Sequence, residues 1–90
     1  MKQSPMMEQH ARIKQELAKG GNDSLLAVRL GDFYEFFGND AKVASDALKL
    51  MLTKRNDVDM AGIPYHASQK YFAELVSKGH KVAVFDPFKS

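Results

Sequence analysis

The stretch Arg29-Leu30-Gly31-Asp32-Phe33-Tyr34-Glu35-Phe36-Phe37 decides how this chain folds. Two β-prone runs, Ser24 to Leu30 and Phe33 to Phe37, meet at Gly31-Asp32. Glycine supplies the positive φ of a tight two-residue turn, so the stretch reads as a β-hairpin. Four aromatics in five residues exceed what one strand of a small sheet easily buries. Strand alternation puts Phe33, Glu35 and Phe37 on one face and Tyr34 and Phe36 on the other. Were both faces core, Glu35 would be a buried carboxylate needing a partner or a proton, at a cost of several kcal/mol. Were the Phe33 face open at the hairpin end, an exposed aromatic would stand two residues from an exposed acid. Periodicity admits both readings: a core strand with an edge Glu, or a wedge beside a hydrogen-bonding group.

Upstream, Pro5 suits a first helical position and Ser4 can cap it. Met6, His10, Ile13 and Leu17 then recur at helical spacing among polar residues, until Gly20-Gly21-Asn22-Asp23 makes a loop. Downstream, Gly38-Asn39-Asp40 breaks the second strand. Asn39 or Asp40 can cap a helix whose buried stripe is Ala44, Ala47, Leu48 and Met51. Thr53 to Asp59 is polar and reads as a connecting loop. Met60 to His66 reads as a short extended segment, because Pro64 cannot donate to a ladder and biases Ile63 toward β conformation. Ser68 can cap a third helix, with Tyr71, Phe72, Leu75 and Val76 inward and Gly79 ending it. Lys81 to Phe85 is a last apolar strand. The order α-β-β-α-β-α-β predicts an α/β (α+β) fold, a small mixed sheet flanked by helices.

Ninety residues, 44% of them apolar, fit one domain over 1–90 and leave no room for a second core. With no cysteine there is neither a disulfide framework nor a thiolate metal site. His10, His66 and His80 fit no zinc spacing and read as ordinary, partly exposed histidines. A net charge of +2 is compatible with nucleic acid without arguing for it. No apolar run approaches the roughly 20 residues of a membrane span, and the polar N-terminus lacks a signal-peptide core. The cytoplasm is the expected compartment, with no membrane partner. Gly31 and Gly38 lack the pattern of a phosphate loop, and no Ser sits in a nucleophile elbow. Asp32 and Glu35 lie close in sequence, but at a hairpin edge with no evident cleft and on opposite faces of the strand. The expectation is a binding module with no cofactor, not an enzyme.

Arg29 to Phe37 resembles the segment of the MutS DNA mismatch-repair family that carries the Phe-x-Glu mismatch reader. Pro5-Met6-Met7-Glu8-Gln9-His10 looks like the family's opening, and Asp40-Ala41-Lys42 with Ala44-Ser45 like its first post-hairpin helix. Leu52-Thr53-Lys54-Arg55 and Met60-Ala61-Gly62-Ile63-Pro64-Tyr65-His66-Ala67 match two further signatures in the right order. Lys78-Gly79 and Lys81-Val82-Ala83-Val84 follow as the family would have them. The likeness runs over essentially the whole chain. It implies that Phe33 enters the minor groove and stacks on a mispaired or unpaired base, kinking the duplex. Unstacking is least costly where pairing is already defective, so selectivity would come from deformability. Glu35 would hydrogen-bond the displaced base; repulsion by phosphates favours a protonated, donating form there. Lys54 and Arg55 would contact phosphates, or else be a solvated loop pair; Tyr65 and His66 read as structural.

The chain departs from the family at Phe85-Asp86-Pro87-Phe88-Lys89-Ser90, where a Cys-Glu-Gln-like sequence, a further strand and a connector are usual. The family's ATPase, clamp and dimer interface are absent too. The chain is therefore expected to be either an excised domain, with the remaining domains of a MutS-like protein as partners alongside mismatched double-stranded DNA, or a stand-alone version. In a second reading the same module serves protein interaction through an exposed Phe33/Phe37 patch, or general DNA binding in another DNA-processing protein.

Overall fold

The computed structural model describes residues 5–21 and 23–87. Among them run α1 (Pro5–Lys19), β1 (Leu25–Leu30), β2 (Phe33–Phe37), α2 (Asn39–Leu48), β3 (Thr53–Arg55), β4 (Val58–Pro64), a 3-10 turn (Tyr65–Ala67), α3 (Ser68–Ser77) and β5 (Val82–Phe85). The strands form one mixed five-stranded sheet in the order β3-β4-β2-β1-β5. β1 and β5 run parallel, and the other neighbours antiparallel. This is the α+β architecture that the sequence pattern predicts. The expected cap at Ser4, the side chain of Met6 and the loop residue Asn22 lie outside the described residues.

The hairpin forms where Gly31 and Asp32 place it. Gly31 takes φ 62 at the tip, a region closed to most side chains. Leu30 then pairs with Phe33 and Val28 with Glu35. On its other side β2 pairs with β4, setting Phe33 opposite Pro64 and Glu35 opposite Gly62. One sheet face carries Leu25, Ala27, Tyr34, Phe36, Ala61 and Ile63, closed by Ala41, Ala44 and Leu48 of α2 and Leu75 of α3. The opposite face carries Leu26, Val28 and Phe37, with Met7 and Ile13 of α1 packed against them. Phe36 and Phe37 are both fully buried, on opposite faces, each contributing about 1.5–3 kcal/mol of apolar transfer.

Several local expectations are corrected. Neither Asn39 nor Asp40 caps α2: Gly38 occupies that position at φ 62, ψ −133, with no side-chain cap. Asp40 is instead buried in the first turn. Its carboxylate accepts the Leu26 N–H at 3.0 Å and pairs with Lys14 Nζ at 2.9 Å. Lys14 also donates to the Ser24 carbonyl at 2.6 Å, so one acid ties α1, β1 and α2 together. Met51 is not in the buried stripe of α2; it is 81% exposed, because the helix ends at Leu48 and Lys49 turns left-handed at φ 57. Leu50 takes the inward place.

Thr53 to Asp59 is no loop. It forms β3, the turn Asn56-Asp57 and the start of β4. Both turn residues have positive φ, 51 and 63, the backbone of a type I′ hairpin that Asn and Asp tolerate better than most residues. Ser68 begins α3 rather than capping it, and its hydroxyl donates to the Tyr65 carbonyl at 2.8 Å. Val76 is 60% exposed, since Tyr71, Phe72 and Leu75 already fill the inward face. His10 is not a partly exposed histidine. It is buried edge-on to Phe37 at 5.7 Å, and its Nε2 has no hydrogen-bond partner among the described residues.

Candidate functional site

The two ends of β2 meet different surroundings. α1 packs over the Phe37 end of the sheet face, burying that ring beneath Met7 and Ile13. Phe33, at the hairpin tip, is left 46% exposed on the same face. The Phe33/Phe37 patch considered from sequence therefore does not exist as a surface; one ring is core and the other is open. Glu35 lies between them, half-buried. Its Oε1 pairs with Arg55 Nη1 at 2.5 Å, the two side chains being 13% and 45% exposed. The acid on this strand is thus largely covered and has the partner a buried carboxylate needs, while the ring two residues away is open.

Gly62 is the floor beneath both groups. A β-carbon placed on it would stand 3.5 Å from the Phe33 ring and 3.6 Å from Glu35 Cγ. A strand glycine often marks such a close approach. Phe33, Glu35 and Gly62 with Leu50, Met51 and Met60 line an open, mainly apolar groove of about 340 Å³. A cleft thus exists beside Glu35, where none was evident from the order of residues alone. Sequence reasoning missed its floor and far wall, although Gly62 within an extended segment was a usable signal. Leu50 and Met51 enter only because the chain turns back after α2. Asp32 is outside this groove, so the two neighbouring acids do not converge.

The tip is braced from the other side. The Tyr65 N–H donates to the Asp32 carbonyl at 2.7 Å. The Arg29 guanidinium lies 3.7 Å from the centre of the Tyr65 ring and pairs with Asp86 at 3.0 Å. Tyr65 and Tyr34 pack with ring centres 5.5 Å apart. Tyr65 is structural, as expected, whereas His66 is exposed beside Phe33 and Pro64 in a shallow hollow. Asp86 stands where the sequence leaves the expected family pattern, and it anchors this brace.

Lys54 and Arg55 are brought to opposite faces of β3. Lys54 pairs with Asp59 at 2.9 Å, and Lys42 reaches the same carboxylate at 3.5 Å. Hydrogen bonding by Lys54 holds Asp59 below the usual carboxylate range. The two cations are thus each ion-paired and form no single patch.

A family model described as MutS domain I matches residues 4–90, nearly the whole chain, hairpin and groove included. This chain belongs to the MutS domain I family. It is 52% identical to the DNA mismatch repair protein MutS of Thermotoga petrophila over 86 residues, 96% of this chain and 10% of that relative. It is 52% identical over 84 residues to the protein of the same name from Chlorobium chlorochromatii, and 49% identical over 88 residues to that of Fusobacterium nucleatum, in each case 92% of this chain and 9% of the relative. This MutS domain I thus spans about a tenth of the length of those relatives. Among its described residues no group of three or more His, Cys, Asp or Glu could hold a metal ion, and no helix is long and apolar enough to cross a membrane.

Proposed function

We propose that this domain recognises mismatched or unpaired bases in duplex DNA, as the DNA-reading part of a longer mismatch-repair protein. Phe33 enters the minor groove and stacks on the defective base, and Glu35 hydrogen-bonds the base that is displaced. The observation that carries this reading is the exposed Phe33 ring at a braced hairpin tip, beside a largely covered acid, in a MutS domain I chain. A wedge must hold its shape while a base step opens, and the Asp32–Tyr65 and Arg29–Asp86 contacts supply that stiffness. Opening a stacked step costs a few kcal/mol and less at a mispair, so an unreading ring still discriminates. Lys54, on the other face of β3, can exchange Asp59 for a phosphate. The module binds rather than catalyses, and ATP-dependent steps belong to other domains of the longer protein.

The test is a titration of fluorescent G·T and perfectly paired duplexes with the chain and with Phe33→Ala, at two salt concentrations. Weak binding is expected from a net charge of +2. The parent favours the G·T duplex, and Phe33→Ala binds both alike. Equal binding of the two duplexes by the parent rejects the proposal.

A further inference from the structure

We infer that Arg55 is a positioning residue for Glu35, fixing its carboxylate through Oε1 and leaving Oε2 to accept a hydrogen bond from a displaced base. This deepens the mismatch reading of Phe33 and Glu35 and rests on it.

The pair is not an accident of neighbouring strands. Arg55 is on β3 and Glu35 on β2, with β4 between them. Across the ladder Arg55 faces Val58, and Glu35 faces Val28 and Gly62. To reach Oε1 at 2.5 Å the guanidinium crosses a whole strand. Among the described residues no second side chain bonds the carboxylate. The acid is 13% exposed, so its rotamer is set by packing and by this one charge-assisted bond. An acid entering a groove of phosphates needs either a proton, as the family resemblance implies, or a counter-charge close by. Arg55 brings the counter-charge from its own sheet face, which favours the ionised, accepting form over the protonated, donating one. The acid is then preorganised as an acceptor, the condition under which a single hydrogen bond discriminates well.

A phosphate contact and a positioning residue make opposite predictions. Loss of a phosphate contact weakens every duplex alike and reduces the salt slope by about one. Loss of a positioning residue weakens the mismatch complex alone. The experiment compares the 90-residue chain with Arg55→Gln, Glu35→Gln and the double variant, by nuclear magnetic resonance titration with G·T and paired duplexes. Each single change lowers the ratio of G·T to paired-duplex affinity by about ten-fold, the worth of one hydrogen bond to a charged group. The double variant is no worse than either single one, because both changes remove the same interaction. An Arg55→Gln variant that weakens both duplexes equally overturns the inference. If the parent shows no preference, the mismatch reading itself falls, and Arg55 is judged on the free protein. There its guanidinium protons exchange slowly in the parent and quickly in Glu35→Gln. Fast exchange in both overturns the inference independently of DNA.

Discussion

Replacing Phe33 and Phe36 by alanine, one at a time, separates a reading ring from a core ring three residues away on the same strand. Phe33 is 46% exposed, so a little over half of its side chain is withdrawn from water. Full burial of such a side chain contributes about 1.5–3 kcal/mol, and the share here is about 1–1.5 kcal/mol. No cavity term is added, because the ring already borders an open groove. Phe36 is fully buried among Ala27, Ala61 and α2, and its truncation leaves a closed void. That change costs about 3–5 kcal/mol, a large part of the stability of a domain this size. At about 4–8 °C per kcal/mol, Phe33→Ala lowers the melting temperature by roughly 5–10 °C. Phe36→Ala lowers it by roughly 15 °C or more, or prevents folding. Circular dichroism melts measure both. Duplex binding at a temperature where Phe33→Ala is folded then shows its mismatch preference lost, a stacking contact being worth about 1–3 kcal/mol. A Phe33→Ala variant as unstable as Phe36→Ala, or one that keeps its preference, refutes the division of β2 into core and reader.

Asp40→Ala leaves the Leu26 N–H without its acceptor and Lys14 without its counter-charge, costing about 3 kcal/mol; Asp40→Asn keeps an acceptor and costs about 1 kcal/mol, both read as a shift of the urea midpoint at constant slope. His10 titrates below its ordinary value of 6.5, because burial disfavours the imidazolium more than the nearby Asp40 favours it, with Lys14 adding to the lowering. Its unfolded form therefore binds the proton first, so its stabilising contribution is full above pH 6.5 and is lost as pH falls through the lower folded value; His10→Leu flattens the stability profile between pH 7 and 5. Asp57→Gly makes an Asn-Gly turn at a position with φ 63 and raises stability by about 0.5 kcal/mol, seen as a melting point a few degrees higher; an unchanged or lower value counts against the type I′ hairpin.

The sequence by itself determined the hairpin, the order of the long helices and the family, because these depend on residues adjacent in the chain. A glycine between two β-prone runs places a turn wherever the rest of the molecule lies, and alternation then commits Phe33, Glu35 and Phe37 to one face. The short strand β3 was hidden because Thr53-Lys54-Arg55 lies on the surface and carries no apolar alternation; only pairing with β4 makes it a strand. Which rings of that face are core was decided by where α1 lies, over Phe37 and away from Phe33. The same holds for charge. Arg55 and Glu35 are 20 residues apart, and Lys14 and Asp40 are 26 apart, so nothing local in the chain announces either pair. Electrostatic partners act through space, and only the tertiary fold sets those distances.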